Sequence, residues 1–300
     1  MKNLSKLFAA LALLLLATSA LAQSSDTEEQ DSLKMAALEA LITAPPERAL
    51  PIVDKVLAGN NSTELKERAL FILSQMDTPE AQSRLLAYAR DSEGELQSEA
   101  IRMIGIGGDG EALASLGEIY SGGSSDTRDA ILGAYLIADD ADAIFQIAAN
   151  ASDEAEFSEA VQMLGAMGAN DQLRELRSRA GLSESLIEAY AISGDATTLQ
   201  ELALDDSNPE IQLKAIEALG IVGGNDVGKI LLDLYKNAAN ADVKEAALDG
   251  LLIAGDDSSV LELYRNSSDA NEKRELLEFL VMMGSDEVWD IIDSALDGAE

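Results

Sequence analysis

The sequence predicts an all-α protein, an α-solenoid of about nine stacked helical hairpins with a period of about 30 residues. Three observations predict it. First, Glu210 to Tyr235 reads as two amphipathic helices in tandem: Ile211, Ala215, Ile216, Leu219 and Val222 recur at spacings of three and four, and so do Val227, Ile230, Leu231, Leu234 and Tyr235. Second, the break between paired helices returns at Ala44, Met76, Gly108, Ala138, Gly168, Gly194, Gly224, Gly255 and Gly284, at intervals of 26 to 32 residues. Third, valine, isoleucine and threonine fall at helical rather than alternating positions, so no strand pattern competes.

The chain begins with a segment that does not belong to the repeats. Lys2 and Lys6 precede the apolar run Leu7 to Ala17, which is too short for the ~20 residues of a usual membrane helix, and Ala20, Leu21 and Ala22 form a small-x-small cleavage signature. Residues 1–22 therefore read as a bacterial-type secretory signal peptide cut after Ala22, which points to the periplasm or beyond. With no cysteine in the chain, a lipid anchor on a thiol is closed. No later run reaches membrane-spanning length, so no membrane insertion is expected after cleavage. Residues 23–31, QSSDTEEQD, read as a flexible acidic leader, and 32–300 as a single repeat domain.

Each repeat carries its own start and stop signals. In the clearest copy Asn208 is the expected cap, Pro209 sits where no amide hydrogen is needed, and Glu210 complements the positive helix end. Gly223 and Gly224 supply the stop, and Asn225 or Asp226 the cap of the second helix. Asp77, Thr78, Asp109, Asp195, Asp256 and Asp286 follow turns in the same way and are expected to cap second helices. Proline is expected only at helix starts or between helices. The first helices align on a small residue, Ala69, Ala100, Ala130, Ala160, Ala215 and Ala246, which would let neighbouring helices approach closely. The repeat from Leu182 to Ser207 is short, and a kink or misregister is expected there. Trp289 in the last helix is expected to cap the open end of the stack.

Charge and composition narrow the function. The formal net charge of −34 becomes −36 once Lys2 and Lys6 are removed, which excludes the basic footprint that nucleic acid or anionic lipid demands. Two readings of the acidity stand side by side: a solvated, self-repelling surface suited to a salty setting, and steering of a basic partner. With neither histidine nor cysteine, Ser-His-Asp triads, thiol nucleophiles and zinc clusters are excluded, so no catalytic, cofactor or metal residues are assigned and no enzyme is expected. The paired carboxylates Asp139 and Asp140, Asp205 and Asp206, and Asp256 and Asp257 fall in turns and read as caps; weak divalent cation association is expected of them, not a specific calcium site. Gly105 to Gly110 lacks the strand and lysine of a phosphate loop and reads as a repeat turn.

The fragments KERALFIL, QSEAIRMI, SEAVQML and LKAIEAL, followed by L-G-x-x-G-[DN] and a second helix of L-x-x-L-Y type, resemble the HEAT-like repeat family, including PBS-lyase HEAT-like repeats, over 32–300. Armadillo and tetratricopeptide patterns fit less well. The resemblance implies an interaction scaffold that binds a protein or peptide on a concave face lined by second helices. Tyr88, Tyr120, Tyr235 and Tyr264, late in second helices, are then candidate partner contacts, with packing between repeats as the other reading. It also implies that Arg68, Arg128, Lys214, Lys244, Lys273 and Arg274 form a ladder linking neighbouring repeats. The family name supplies one alternative, a bilin lyase or isomerase, and the acidity another, a cation-associated envelope protein.

Overall fold

The computed structural model describes residues 32–296, so the segments read as signal peptide and leader lie outside the described residues. Every long element among them is helical. Two compact units divide between Ala138 and Asp139. The first unit holds α1 (32–39), a 3-10 turn at Ala40–Thr43, α2 (Pro46–Ala58), α3 (Thr63–Ser74), α4 (Pro79–Asp91), α5 (Glu95–Gly107), α6 (Gly110–Gly122) and α7 (Ser125–Ile137). The second holds α8 (Ala141–Ala149), α9 (Glu154–Ala166), α10 (Asn170–Ala180), α11 (Glu184–Ser193), α12 (Ala196–Leu204) and α13 (Pro209–Val222). It continues with α14 (Asn225–Asn237), α15 (Ala241–Ala254), α16 (Asp257–Asn266), α17 (Ala270–Met283) and α18 (Glu287–Leu296). Odd-numbered first helices and even-numbered second helices alternate, giving each unit the stacked hairpins of an α-solenoid.

The caps explain the boundaries. Thr78, Asp109, Asp140, Asp195 and Asp256 each accept a hydrogen bond from the amide three residues on, opening α4, α6, α8, α12 and α16. Asn208 does the same for α13, with Pro209 at its first turn. One expected cap is displaced: α14 starts from Gly224 at φ 89°, and Asn225 is already helical. Gly223 and Gly224 both have positive φ, so the two-glycine turn needs no side-chain cap. Pro51 stands inside α2, against the expectation for proline. It is past the first turn and removes the amide that would bond the Glu47 carbonyl, but Glu47 is exposed, so water can satisfy that carbonyl.

Three pairs of first helices, α5 with α7, α9 with α11 and α13 with α15, touch backbone to backbone. A Cβ added at Gly105 of α5 would lie 2.7 Å from the Ala134 carbonyl of α7. The same substitution at Gly165 of α9 would meet the Ala189 carbonyl of α11 at 2.8 Å, and at Gly220 of α13 the Gly250 Cα of α15 at 2.8 Å. The short repeat keeps this register, so the misregister expected at Leu182 to Ser207 is absent; α11 and α12 are simply shorter. Ala69, Ala100, Ala160 and Ala215 are fully buried. Ala130 and Ala246 are partly exposed, while the next residues, Ile131 and Ala247, are buried like Leu70, Ile101, Val161 and Ile216 after the other four. In α18 Trp289 is 61% exposed while its neighbour Val288 is buried.

Candidate functional site

The four candidate tyrosines sit at equivalent places late in α4, α6, α14 and α16, and the structure treats them differently. Tyr120 and Tyr235 are only 7% and 5% exposed, whereas Tyr88 and Tyr264 are partly open. Three rings are covered by a cation from the next first helix. Arg128 lies 5.4 Å from the Tyr120 ring, Lys244 5.1 Å from Tyr235 and Lys273 5.3 Å from Tyr264. Burial, and then Asp54, raises the Tyr88 phenol above its ordinary pKa. None of the four lines the grooves described below.

The basic slot thus serves two purposes. Arg68 pairs with Glu39 at 3.1 Å and stacks on Phe71, and Lys214 pairs with Glu184 of α11. Polar links fall at the repeat spacing: Arg84 to Asp54, Thr127 to Gln97 and Gln172 to Asp142 are each 30 residues apart. Equivalent positions of adjacent repeats are therefore bonded directly, in both units.

A feature not read from the sequence appears on the first helices. Two residues before the turn glycines that close α5, α11, α13, α15 and α17, the side chain is large, aliphatic and solvent-facing: Ile106, Ile192, Ile221, Ile253 and Met282; at Gly168, after α9, the place is held by Ala166. Ile137 holds the same place before Asp139, whose φ of 57° substitutes for glycine. These six large side chains are 44 to 62% exposed. The signal was present as an apolar residue one step beyond the buried stripe, but a stripe edge cannot be told from a core residue by spacing alone.

The row meets a groove in the second unit. Between α13 and α15 lies an open volume of about 720 Å³. Leu213, Ala246 and Leu252, all partly exposed, and the exposed Ile253 supply its apolar lining. Glu210, Glu217, Asp242, Glu245 and Asp249 supply carboxylates, against one lysine, Lys214. That lysine is engaged by Glu184, whose hydrogen bond holds its pKa above the ordinary value. Two smaller clefts of about 400 Å³ each open between second helices, one at Leu204 and Ile230 and one at Phe157 and Leu176.

Groups with catalytic potential are used structurally. Asp195, 6% exposed, caps α12 and accepts from Thr198 Oγ1 at 2.7 Å and from Arg174 at 2.6 Å. Tyr190 is fully buried in α11, and burial pushes its phenol up. Among the described residues no group of three or more His, Cys, Asp or Glu is placed to hold a metal. Among them also, no helix is long and apolar enough to cross a membrane.

Comparison with known proteins bears on the repeats. The family model for HEAT repeats matches residues 195–251, from α12 into α15. Among solved structures the chain is similar to the complex of CpcE and CpcF of phycocyanin lyase from Nostoc sp. PCC7120, at 17% identity and a TM-score of 0.34. That likeness covers 80% of this chain and 95% of that one. No curated protein matches it.

Proposed function

We propose that this chain of HEAT-like repeats is an exported, noncatalytic scaffold that binds a protein or peptide, with the contact on the first-helix face. The observation that carries the reading is the row of Ile106 and Ile137 in one unit and Ile192, Ile221, Ile253 and Met282 in the other. A single exposed aliphatic side chain is ordinary on a soluble surface. Within the second unit the same outward position is filled by isoleucine or methionine in four consecutive first helices, α11, α13, α15 and α17, which makes a patterned apolar surface, and association would remove it from water at ~25 cal/mol per Å². The lack of histidine and cysteine supports a binding role over a catalytic one. Export rests on the basic start, the short apolar run and the Ala20 to Ala22 signature.

The test is comparative capture from native envelope extract. The exported protein and an I192S/I221S/I253S variant serve as baits, washed at low and high salt, with retained proteins identified by mass spectrometry. A defined partner held by the first and lost by the second is the expected result. The same retained set on both baits overturns the first-helix assignment, and no salt-resistant partner on either overturns the scaffold. Export has a separate readout, an amino terminus at Gln23 in the periplasmic or secreted protein.

A further inference from the structure

We propose that the groove between α13 and α15 takes a basic amphipathic helix of a partner protein, an inference that rests on the scaffold reading and names its partner class. The apolar lining is short: Leu213 and Leu252 are partly exposed and Ile253 more so, along an open volume of about 720 Å³. Carboxylates stand on both helices that form it. On α13, Glu210 and Glu217 are seven positions apart; on α15, Asp242 and Asp249 are also seven apart. Seven residues are two helical turns, ~10 Å. A ligand helix with lysine or arginine at that spacing along both flanks, and an apolar stripe between them, meets both acidic rows at once.

Charge selects the occupant. Among the described residues none of the five groove carboxylates is in an ion pair, and Lys214 is held by Glu184. A second copy of this chain carries the same strong negative charge and is repelled, as is any acidic partner. Exposed ion pairs are individually weak, so the carboxylates steer and orient while burial of Leu213, Leu252 and Ile253 governs residence.

The experiment uses the full chain with methyl-labelled isoleucine and a synthetic peptide of repeated LKKLLKL heptads. A peptide of the same apolar pattern with glutamate for lysine is the control. Expected are shifts of the Ile253 and Ile221 methyl signals, a bound peptide that is helical by circular dichroism, and affinity about tenfold lower for E217Q/D249N at moderate salt. The remote pair D91N/E93Q, in the first unit, should change affinity little. Equal weakening by both double variants would reduce the effect to undirected charge attraction and overturn the assignment. Shifts at Ile106, Ile137 or Ile192 with Ile221 and Ile253 unmoved would overturn the groove while leaving the scaffold standing. Binding by a peptide that stays extended, or equal binding of the acidic control, overturns the helix. A partner captured from the envelope together with no peptide binding would likewise remove only the groove.

Discussion

Tyr235 of α14 donates its phenolic hydrogen to Glu272 Oε1 of α17 at 2.9 Å, across 37 residues of sequence. Lys244 covers the same ring, and Ser267 donates to the other oxygen of Glu272. A side chain that the repeat pattern offered as a partner contact is thereby a strut between repeats. Burial first, and then the bond to Glu272, raises the Tyr235 phenol well above its ordinary value. The Ser267 bond first, and then Tyr235, holds the Glu272 carboxyl below its own.

Tyr235→Phe should therefore lower stability by about 1 kcal/mol at neutral pH, measured by urea unfolding. The pH dependence follows from the signs. A carboxyl with a depressed folded pKa stabilises above its unfolded value of ~4.3, and that contribution is lost as pH falls through the folded value. The raised phenol contributes below its unfolded value of ~10 and loses this only at higher pH. The gap between wild type and variant should thus be constant from about pH 5 to 9 and close on acidification below ~4. A gap that widens there would mean the bond is not the source.

Gly220→Ala and Gly133→Ala should move stability in opposite directions. A Cβ at Gly220 would lie 2.8 Å from Gly250, so α13 and α15 must separate, at about 1 to 3 kcal/mol. Gly133, inside α7, has nothing within 4 Å of an added Cβ, and alanine there should add about 0.5 to 1 kcal/mol through helix propensity. Thermal unfolding of the two single variants decides it.

Removing the Asp195 carboxylate should cost about 2 kcal/mol, the upper end for a helix cap, because it also strands Thr198 and Arg174. Arg174 is half-exposed and can be hydrated, which limits the loss. Asp195→Asn, which keeps an acceptor for the cap, should lose clearly less than Asp195→Ala in chemical denaturation.

With 55 acidic residues against 21 basic ones, self-repulsion opposes the folded state. Raising salt from about 0.01 M to 1 M shortens the screening length from ~30 Å to ~3 Å. The melting temperature should rise over that range in scanning calorimetry. A fall would show that the cross-repeat ion pairs such as Arg84 with Asp54 outweigh the repulsion.

Much of the fold was legible because it is made locally. A period near 30, a glycine or aspartate at each turn, and apolar residues at spacings of three and four are properties of contiguous segments, and each is physically sufficient to start, stop or orient one helix. The caps at Asp109, Asp195, Asp256 and Asn208 stand where the residues placed them. What tertiary structure alone decided is the phase of each helix against its neighbour. One residue of phase is a rotation of about 100°, enough to bury Val288 while its neighbour Trp289 stays 61% exposed. Packing between helices also seats Tyr235 on Glu272 and leaves Ile221 and Ile253 facing water. Sequence determined that these helices form and pair; which side chains stay exposed was decided by how the helices pack, with Gly105, Gly165 and Gly220 letting first helices meet closely.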